Sequence, residues 1–318
     1  MHGYSLPFRV SPSKPNITGN RKSALQNSEF VDSQLVELLA TRVIKQVDAV
    51  DINCLYVHPL SVAKGKKLRL VLDLSHLNQF LEVPKIKLDD LGTILHALPK
   101  GGYMATFDFK SGYHQVRIKD EHQIYLGFSW KNIYYQFCCL PFGLSSAPHI
   151  FTKLLRVWVK KFREQGRGVA IYIDDGLIFE PSRERCLQSV ASIKHSLLEA
   201  GWQFADAKCI WEPQQRANWL GFTIDLSSMS FRITPDRLQR AKNRLVDLYK
   251  RPTPSLYHRL RWSGTLSSLH LIMNQRDKRN SKAVAAEVAL AQAEEHQFSH
   301  KWALTEEEKG ELKYWQLR

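Results

Sequence analysis

Cysteine is scarce in this 318-residue chain: five residues, an odd number, with Cys138 and Cys139 adjacent and no CxxC spacing. That excludes a disulfide framework and a zinc ribbon. It fits a reducing intracellular compartment, cytoplasm or nucleus, and not a secreted one. No uninterrupted apolar run approaches the ~18 residues that a membrane span needs, so neither a transmembrane segment nor a membrane partner is expected. The opening Met1-His2-Gly3-Tyr4 shows no basic region leading into an apolar stretch, and hence no secretory signal. There is no internal repeat and no Asp-Thr-Gly or Asp-Ser-Gly of the aspartic-protease kind. Acids are also in short supply. Against 45 Lys and Arg stand 31 Asp and Glu, a net charge of +14, which points to a polyanion partner, nucleic acid before an anionic membrane surface. With 44% apolar and 24% charged residues the chain is globular.

Residues 1–28 mix Ser, Pro, Asn and Lys without apolar periodicity and read as a disordered tail. From Glu29, the spacing of Phe30, Val31, Leu35, Leu38, Leu39, Val43 and Ile44 predicts one amphipathic helix. Cys54 to Leu74 reads as two strands around the basic stretch Lys64-Gly65-Lys66-Lys67-Leu68-Arg69. Tyr103 to Phe109 is a strand, followed by a Ser111-Gly112 turn. Leu140-Pro141-Phe142-Gly143-Leu144-Ser145-Ser146-Ala147-Pro148 is a loop opening a helix with a Ser N-cap and an early Pro. Ile150, Phe151, Leu154, Leu155, Trp158 and Phe162 form its apolar stripe. Val169–Ile173 and Leu177–Phe179 flank Asp174-Asp175-Gly176, where Asp-Gly signals a hairpin turn. Leu187, Val190, Ile193, Leu197 and Leu198 stripe a further helix that stops at Gly201.

After Asp225 the chain turns basic. Thr234-Pro235-Asp236 opens a helix with the stripe Leu238, Ala241, Leu245 and Leu248. Between Arg232 and Arg261, nine basic residues (Arg232, Arg237, Arg240, Lys242, Arg244, Lys250, Arg251, Arg259, Arg261) face only Asp236 and Asp247. Pro252-Thr253-Pro254 separates two helices of this module. Beyond Ala283 the chain is helical and acidic, and Thr305-Glu306-Glu307-Glu308 is a capping box opening a last helix. That helix stops at Arg318 after a few turns, as in a piece of something longer.

Three acids sit where acids are costly. Asp108 ends an apolar strand, and Asp174 and Asp175 occupy an apolar hairpin tip. If the two elements share a sheet, the carboxylates gather and repel one another unless a cation is bound. Hard oxygen donors of this kind select Mg²⁺ or Mn²⁺, and two such ions can serve an in-line phosphoryl displacement. Read without further context, the same residues also make an ordinary Asp-Gly turn and an ordinary strand end.

Six blocks in order tip the balance. Arg69-Leu70-Val71-Leu72-Asp73-Leu74-Ser75-His76-Leu77-Asn78, Phe107-Asp108-Phe109-Lys110-Ser111-Gly112-Tyr113-His114-Gln115, Leu140-Pro141-Phe142-Gly143-Leu144, Tyr172-Ile173-Asp174-Asp175, Ala207-Lys208-Cys209 and Trp219-Leu220-Gly221-Phe222 resemble a reverse transcriptase over roughly residues 50–225. Pro-Phe-Gly-Leu and Ser-Gly-Tyr-His-Gln resemble the retrotransposon and pararetroviral branch; lentiviral enzymes carry Gln where Phe142 stands. Asp73 to Asn78 and the tail Leu304 to Trp315 look most like the DIRS-like tyrosine-recombinase retrotransposons.

The resemblance implies an α+β right-hand polymerase fold: fingers, a palm of antiparallel sheet plus helices, and a helical thumb. Its division would be fingers and palm over 29–225, a basic helical thumb over 226–280, and a helical connection over 281–318 cut off before any RNase H domain. It implies an RNA-directed DNA polymerase that extends a primer on an RNA or DNA template with dNTPs and two Mg²⁺ ions, or Mn²⁺. RNase H and recombinase parts of the same polyprotein would be its companions. Asp108, Asp174 and Asp175 would be the metal-binding catalytic carboxylates. Tyr113 matches the aromatic gate against a ribose 2′-hydroxyl, and Phe109 would line the triphosphate. Arg69 matches the fingers arginine on the triphosphate, with Lys64 its companion; the loop between them is short for the family, which leaves Lys66 as the substitute. Lys208 would give a proton to pyrophosphate. Trp219, Leu220, Gly221 and Phe222 would grip the primer, and Arg237, Arg240 and Arg244 would line one thumb face on the nucleic-acid backbone. The second reading is a catalytically inactive transposon-derived fragment that still folds and binds nucleic acid. A viral RNA-dependent RNA polymerase is disfavoured by Tyr113 and the Tyr-Ile-Asp-Asp form.

Overall fold

The computed structural model describes residues 3–16, 19–48, 51–65 and 67–317. In chain order its strands are β1 Ile44–Gln46, β2 Leu60–Lys64, β3 Leu68–Leu72, β4 Tyr103–Asp108, β5 Gly127–Trp130, β6 Ile133–Phe137, β7 Val169–Tyr172, β8 Asp175–Glu180, β9 Ile210–Gln214, β10 Arg216–Trp219, β11 Phe222–Asp225 and β12 Ser230–Ile233. Its α-helices are α1 Lys22–Leu25, α2 Ser28–Ala40, α3 Leu91–Ile94, α4 Ala147–Glu164, α5 Arg183–Glu199, α6 Pro235–Tyr249, α7 Leu256–Leu269, α8 Gln275–Arg279, α9 Ala283–Ala293 and α10 Glu306–Gln316. The recorded pairings within the named sheets are antiparallel, in an α+β arrangement. Among the described residues no helix is long and apolar enough to cross a membrane.

The chain forms two compact units, one of residues 1–90 and 105–213, the other of 91–104 and 214–318. In the first, a four-stranded sheet runs in the order β7-β8-β4-β9. Ala105, Phe107, Leu177 and Ile178 are buried in it, as befits a sheet packed over by helices. α4 packs on β7 and α5 on β8. Under the sheet lies an aromatic core in which Phe107 stacks on Trp211 (5.7 Å) and Phe109 on Phe204 (5.4 Å). A second sheet, β1-β6-β5, and the β2–β3 hairpin complete this unit.

Several expectations shift. The helix from Glu29 ends at Ala40, and Ile44 opens β1 against Phe137. In α4, Leu154 is exposed and Val159 takes its place in the stripe; in α5, Leu187 and Leu198 are exposed and Cys186 is buried instead. Ser146 stands at the N-cap of α4 but makes no capping bond. The segment read as a tail is docked in its described part. The Tyr4 amide donates to the Arg117 carbonyl (2.8 Å), Leu6 is buried, and Phe8 meets the ring of Tyr125 edge-on. Three apolar side chains among polar neighbours were enough to anchor it, a count too small for any periodicity to display.

The second unit carries the sheet β10-β11-β12, whose first two strands fall in the expected palm and whose third falls in the expected thumb, together with α6 to α10. Ala241, Leu245 and Leu248 face inward from α6 as expected, but Leu238 is exposed. The Thr305 capping box is present, with its side chain accepting from the Glu308 amide. Glu308 is fully buried and pairs with Arg259, also fully buried, across 49 residues of sequence. Arg259 therefore belongs to the interior and not to a basic surface.

Candidate active site

Asp108 is the last residue of β4, with 8% of its surface exposed. β8 lies beside β4; Asp175 is the first residue of β8 and Asp174 lies in the turn before it. Tyr172 pairs with Asp175, so the turn is the two residues Ile173-Asp174, with Ile173 in the left-handed region at φ 55°. The Asp-Gly signal found this hairpin but misplaced its tip. Gly176 sits inside β8, where a Cβ would stand 2.1 Å from the Phe107 ring; a glycine is needed for close approach and not for turning. The Phe109 amide donates to the Asp174 carbonyl (3.1 Å), which ties the two acidic segments together.

The electrostatics follow from that crowding. Burial, and then the neighbouring Asp108, raise the Asp174 carboxyl, opposed by a backbone hydrogen bond, Lys208 and Arg69. Asp175 is pushed up to about 6 by burial first, then by Asp174 and Asp108. Lys208 Nζ donates to Asp108 Oδ1 at 2.7 Å, and this bond, with the charge of the three acids, raises the ammonium. Among the described residues no group of three or more His, Cys, Asp or Glu stands in a ready-made metal cluster. Of the three acids expected to bind metal, Asp108 carries the Lys208 ammonium on its Oδ1. The donor set nevertheless fits a hard divalent cation: all oxygen, mutually repelling, and only half-buried at Asp174 and Asp175.

Tyr113 reaches the same place. Its ring packs on Phe142 (5.5 Å) and edge-on to Phe151 (5.6 Å), and burial followed by the charge of Asp174 raises its hydroxyl. Phe109 does not line an open site; its ring is buried among Phe107, Phe151, Trp202 and Phe204. Arg69 projects from β3, exposed, and its charge is felt at Asp174. Lys64, exposed, ends β2 opposite Leu68. Lys66 lies outside the described residues.

One positioning residue escaped notice as such. Asn78 Nδ2 donates to the Gly143 carbonyl (2.9 Å) and its Oδ1 accepts from the Ser145 amide (2.9 Å). With the Leu72 amide donating to the Phe142 carbonyl (3.1 Å), this clamps the loop that carries Phe142 under Tyr113. Gly143, at φ 106°, is required there: a Cβ would meet the Leu72 carbonyl oxygen at 1.9 Å. The motif displays Asn78, but only the fold shows what it grips.

In the second unit, Trp219 pairs with Phe222 around the turn Leu220-Gly221, both aromatic residues buried. Arg237 donates to the carbonyls of Leu220 (2.6 Å) and Ser268 (2.9 Å) and lies 4.2 Å over the Phe222 ring. Arg244 donates to Thr265 Oγ1 (2.7 Å), while Arg240 is exposed. The shared arginine face expected on α6 is therefore split, with two members turned onto the protein itself.

The sequence pattern of the reverse transcriptase (RNA-dependent DNA polymerase) family matches residues 59–224, just over half of the chain. The chain belongs to the reverse transcriptase family. Its relatives include the retrovirus-related Pol polyproteins of two Drosophila melanogaster transposons: 412, 25% identical over 65% of this chain and 17% of that protein, and gypsy, 28% identical over 62% and 19%. An enzymatic polyprotein of Cassava vein mosaic virus is 30% identical over 46% of this chain and 22% of its own length. The chain thus spans about a fifth of these polyproteins, and the retrotransposon and pararetroviral branch is upheld at that level. Among solved structures, the foamy viral protease-reverse transcriptase in complex with an RNA/DNA hybrid superposes with a TM-score of 0.72 at 18% identity, covering 96% of this chain and 38% of that one. That likeness upholds the right-hand polymerase fold.

Proposed function

We propose that this reverse transcriptase chain is an RNA-directed DNA polymerase that extends a primer on an RNA or DNA template, within a larger polyprotein of DIRS-like type. The observation that carries the reading is the convergence of Asp108, Asp174 and Asp175, with carboxyls raised at the latter two, beside Tyr113 and Lys208. Asp108, Asp174 and Asp175 would hold Mg²⁺ or Mn²⁺, which supplies the positive charge that an attacking 3′-hydroxyl and a leaving pyrophosphate require. Arg69, a planar fork, and Lys64, a point charge, bind the incoming triphosphate. Tyr113, backed by Phe142 and Phe151, fills the space beside C2′ and excludes a ribose hydroxyl by volume. Lys208 carries the proton that pyrophosphate takes up on leaving. The Trp219–Phe222 turn holds the primer terminus, and Arg240 contacts backbone phosphate without reading sequence. The work is done in the cytoplasm or nucleus, alongside RNase H and recombinase parts of the polyprotein.

Primer extension on a homopolymer RNA template, comparing dNTPs with rNTPs, tests the reading. Extension with dNTPs and little with rNTPs is expected. A folded chain that extends with neither is the inactive, nucleic-acid-binding remnant; one that prefers rNTPs is a different polymerase.

A further inference from the structure

We propose that the Lys208 ammonium is the built-in counter-cation of the carboxylate site, and that a divalent ion takes its place on Asp108 by displacing it. The inference rests on the reading that these acids receive divalent ions, and adds what holds them together before one arrives.

Asp108, Asp174 and Asp175 lie at one end of the β7-β8-β4-β9 sheet, within reach of one another's charge, and acids so placed repel one another without a cation. Lys208 donates to Asp108 Oδ1 at 2.7 Å, and its charge is felt at Asp174 and Asp175 as well. The placement is fixed by backbone and not by chance contact of two long side chains. The Ala205 amide donates to the carbonyl of Asp108 (2.8 Å) and the Lys208 amide to that of Ala205 (2.8 Å). The Asp108 amide in turn donates to Cys209 Sγ (3.4 Å), and Phe109 bridges Phe204. The segment bearing Lys208 therefore rides on the strand that bears Asp108.

Only the lysine stem is free. Its side chain is 63% exposed while that of Asp108 is 11% exposed, so the ammonium can return to water with the backbone unmoved. A lysine is suited to this: it is a compact, hydrated charge on a flexible stem, and it releases a carboxylate more readily than the bidentate fork of an arginine. A divalent ion brings twice the charge and direct oxygen bonds, and so replaces it. The freed ammonium remains on a stem anchored beside the site, where the departing pyrophosphate needs a proton. One residue thus serves the empty site and the reacting one in turn.

The test is Mn²⁺ binding to the whole chain, followed by electron paramagnetic resonance without nucleotide or nucleic acid, in wild type, Lys208→Gln, Lys208→Arg and Asp108→Asn. Lys208→Gln should bind Mn²⁺ about three- to tenfold more tightly, the scale of one short-range, partly solvated charge pair. Lys208→Arg should bind no more tightly than wild type. In the unmodified protein, acetylation of the Lys208 amine read by mass spectrometry should speed up several-fold when Mg²⁺ is added, a readout that needs no variant. Unchanged or weaker Mn²⁺ binding by Lys208→Gln, with Asp108→Asn weakened, overturns the counter-cation and leaves the carboxylate site standing. If Asp108→Asn binds as wild type does, the carboxylate reading itself falls and the counter-cation with it.

Discussion

Asp108 in the first unit and Glu308 in the second are both acids buried against a basic side chain, and their surroundings could hardly differ more. Glu308 accepts from Arg259 Nε (2.7 Å) and Nη2 (2.9 Å) and from the Thr305 amide (3.0 Å). Arg259 directs its remaining hydrogens to the carbonyls of Pro254 (2.6 Å) and Ala303 (3.1 Å) and lies 3.9 Å from the Trp302 ring centre. Every strong donor and acceptor is answered, and nothing is left for a ligand to do. Asp108 is held by one solvated lysine and flanked by two acids whose carboxyls are raised. A saturated buried pair is a structural joint; an acid cluster with a loosely held cation is a place for chemistry.

That contrast can be broken in a definite order of effect. Asp174→Asn should lower nucleotide addition by about a thousandfold or more, since a lost ligand removes several kcal/mol of charge stabilisation. Its melting should stay within the ±0.5 kcal/mol or so of an ordinary surface change, because one repelling charge is removed. Glu308→Gln should destabilise the chain by about 3–5 kcal/mol by leaving Arg259 buried without its partner. The double replacement Arg259→Met with Glu308→Leu should recover much of that loss, as chemical denaturation would show.

Protons sharpen the comparison further. Burial holds His58 and His114, both in the first unit, down to about 4 from the ordinary 6.5. Folding keeps them neutral while the unfolded chain protonates, so their contribution is complete above 6.5 and is lost as pH falls from 6.5 towards 4. Each accounts for up to about 3 kcal/mol over that window. Raised carboxyls act the other way in both units: Asp174 and Asp175 in the first and Glu311 in the second hold a proton longer when folded and gain relative stability as pH falls. Unfolding followed from pH 7 to pH 4 should lose less stability in His114→Phe than in wild type.

Smaller effects concern selection and grip. Tyr113→Ala should lower the dNTP to rNTP efficiency ratio by about tenfold or more, the scale at which a pocket discriminates by shape. An unchanged ratio in an active variant would make Tyr113 a packing residue. Arg240→Gln should reduce the slope of log affinity against log salt by about 0.7–0.9. Arg237→Gln should instead lower stability, since its guanidinium is bonded to the Leu220 and Ser268 carbonyls.

The sequence displays the acids, Tyr113 and Lys208 because each lies in a short motif whose order is itself informative. It displays the strands and most helices because their apolar spacing is local. It does not display the Arg259–Glu308 pair, which joins residues 49 apart, and counting Arg259 among surface charges follows from reading charge without partners. The inward turn of Arg237 and Arg244 escapes for the same reason: helix spacing says which residues share a face, and not what that face meets. The docked Tyr4–Phe8 segment and the burial of Phe109 depend on tertiary neighbours alone.

The most direct test of the contrast puts Asp174→Asn and Glu308→Gln through one melting series and one primer-extension assay, with activity expressed per folded molecule. The account predicts crossed losses: Asp174→Asn melts as wild type does and adds no nucleotides, while Glu308→Gln melts early and, below its melting point, extends primers at near wild-type rate. A folded Asp174→Asn that extends primers, or a Glu308→Gln that melts normally, would contradict it.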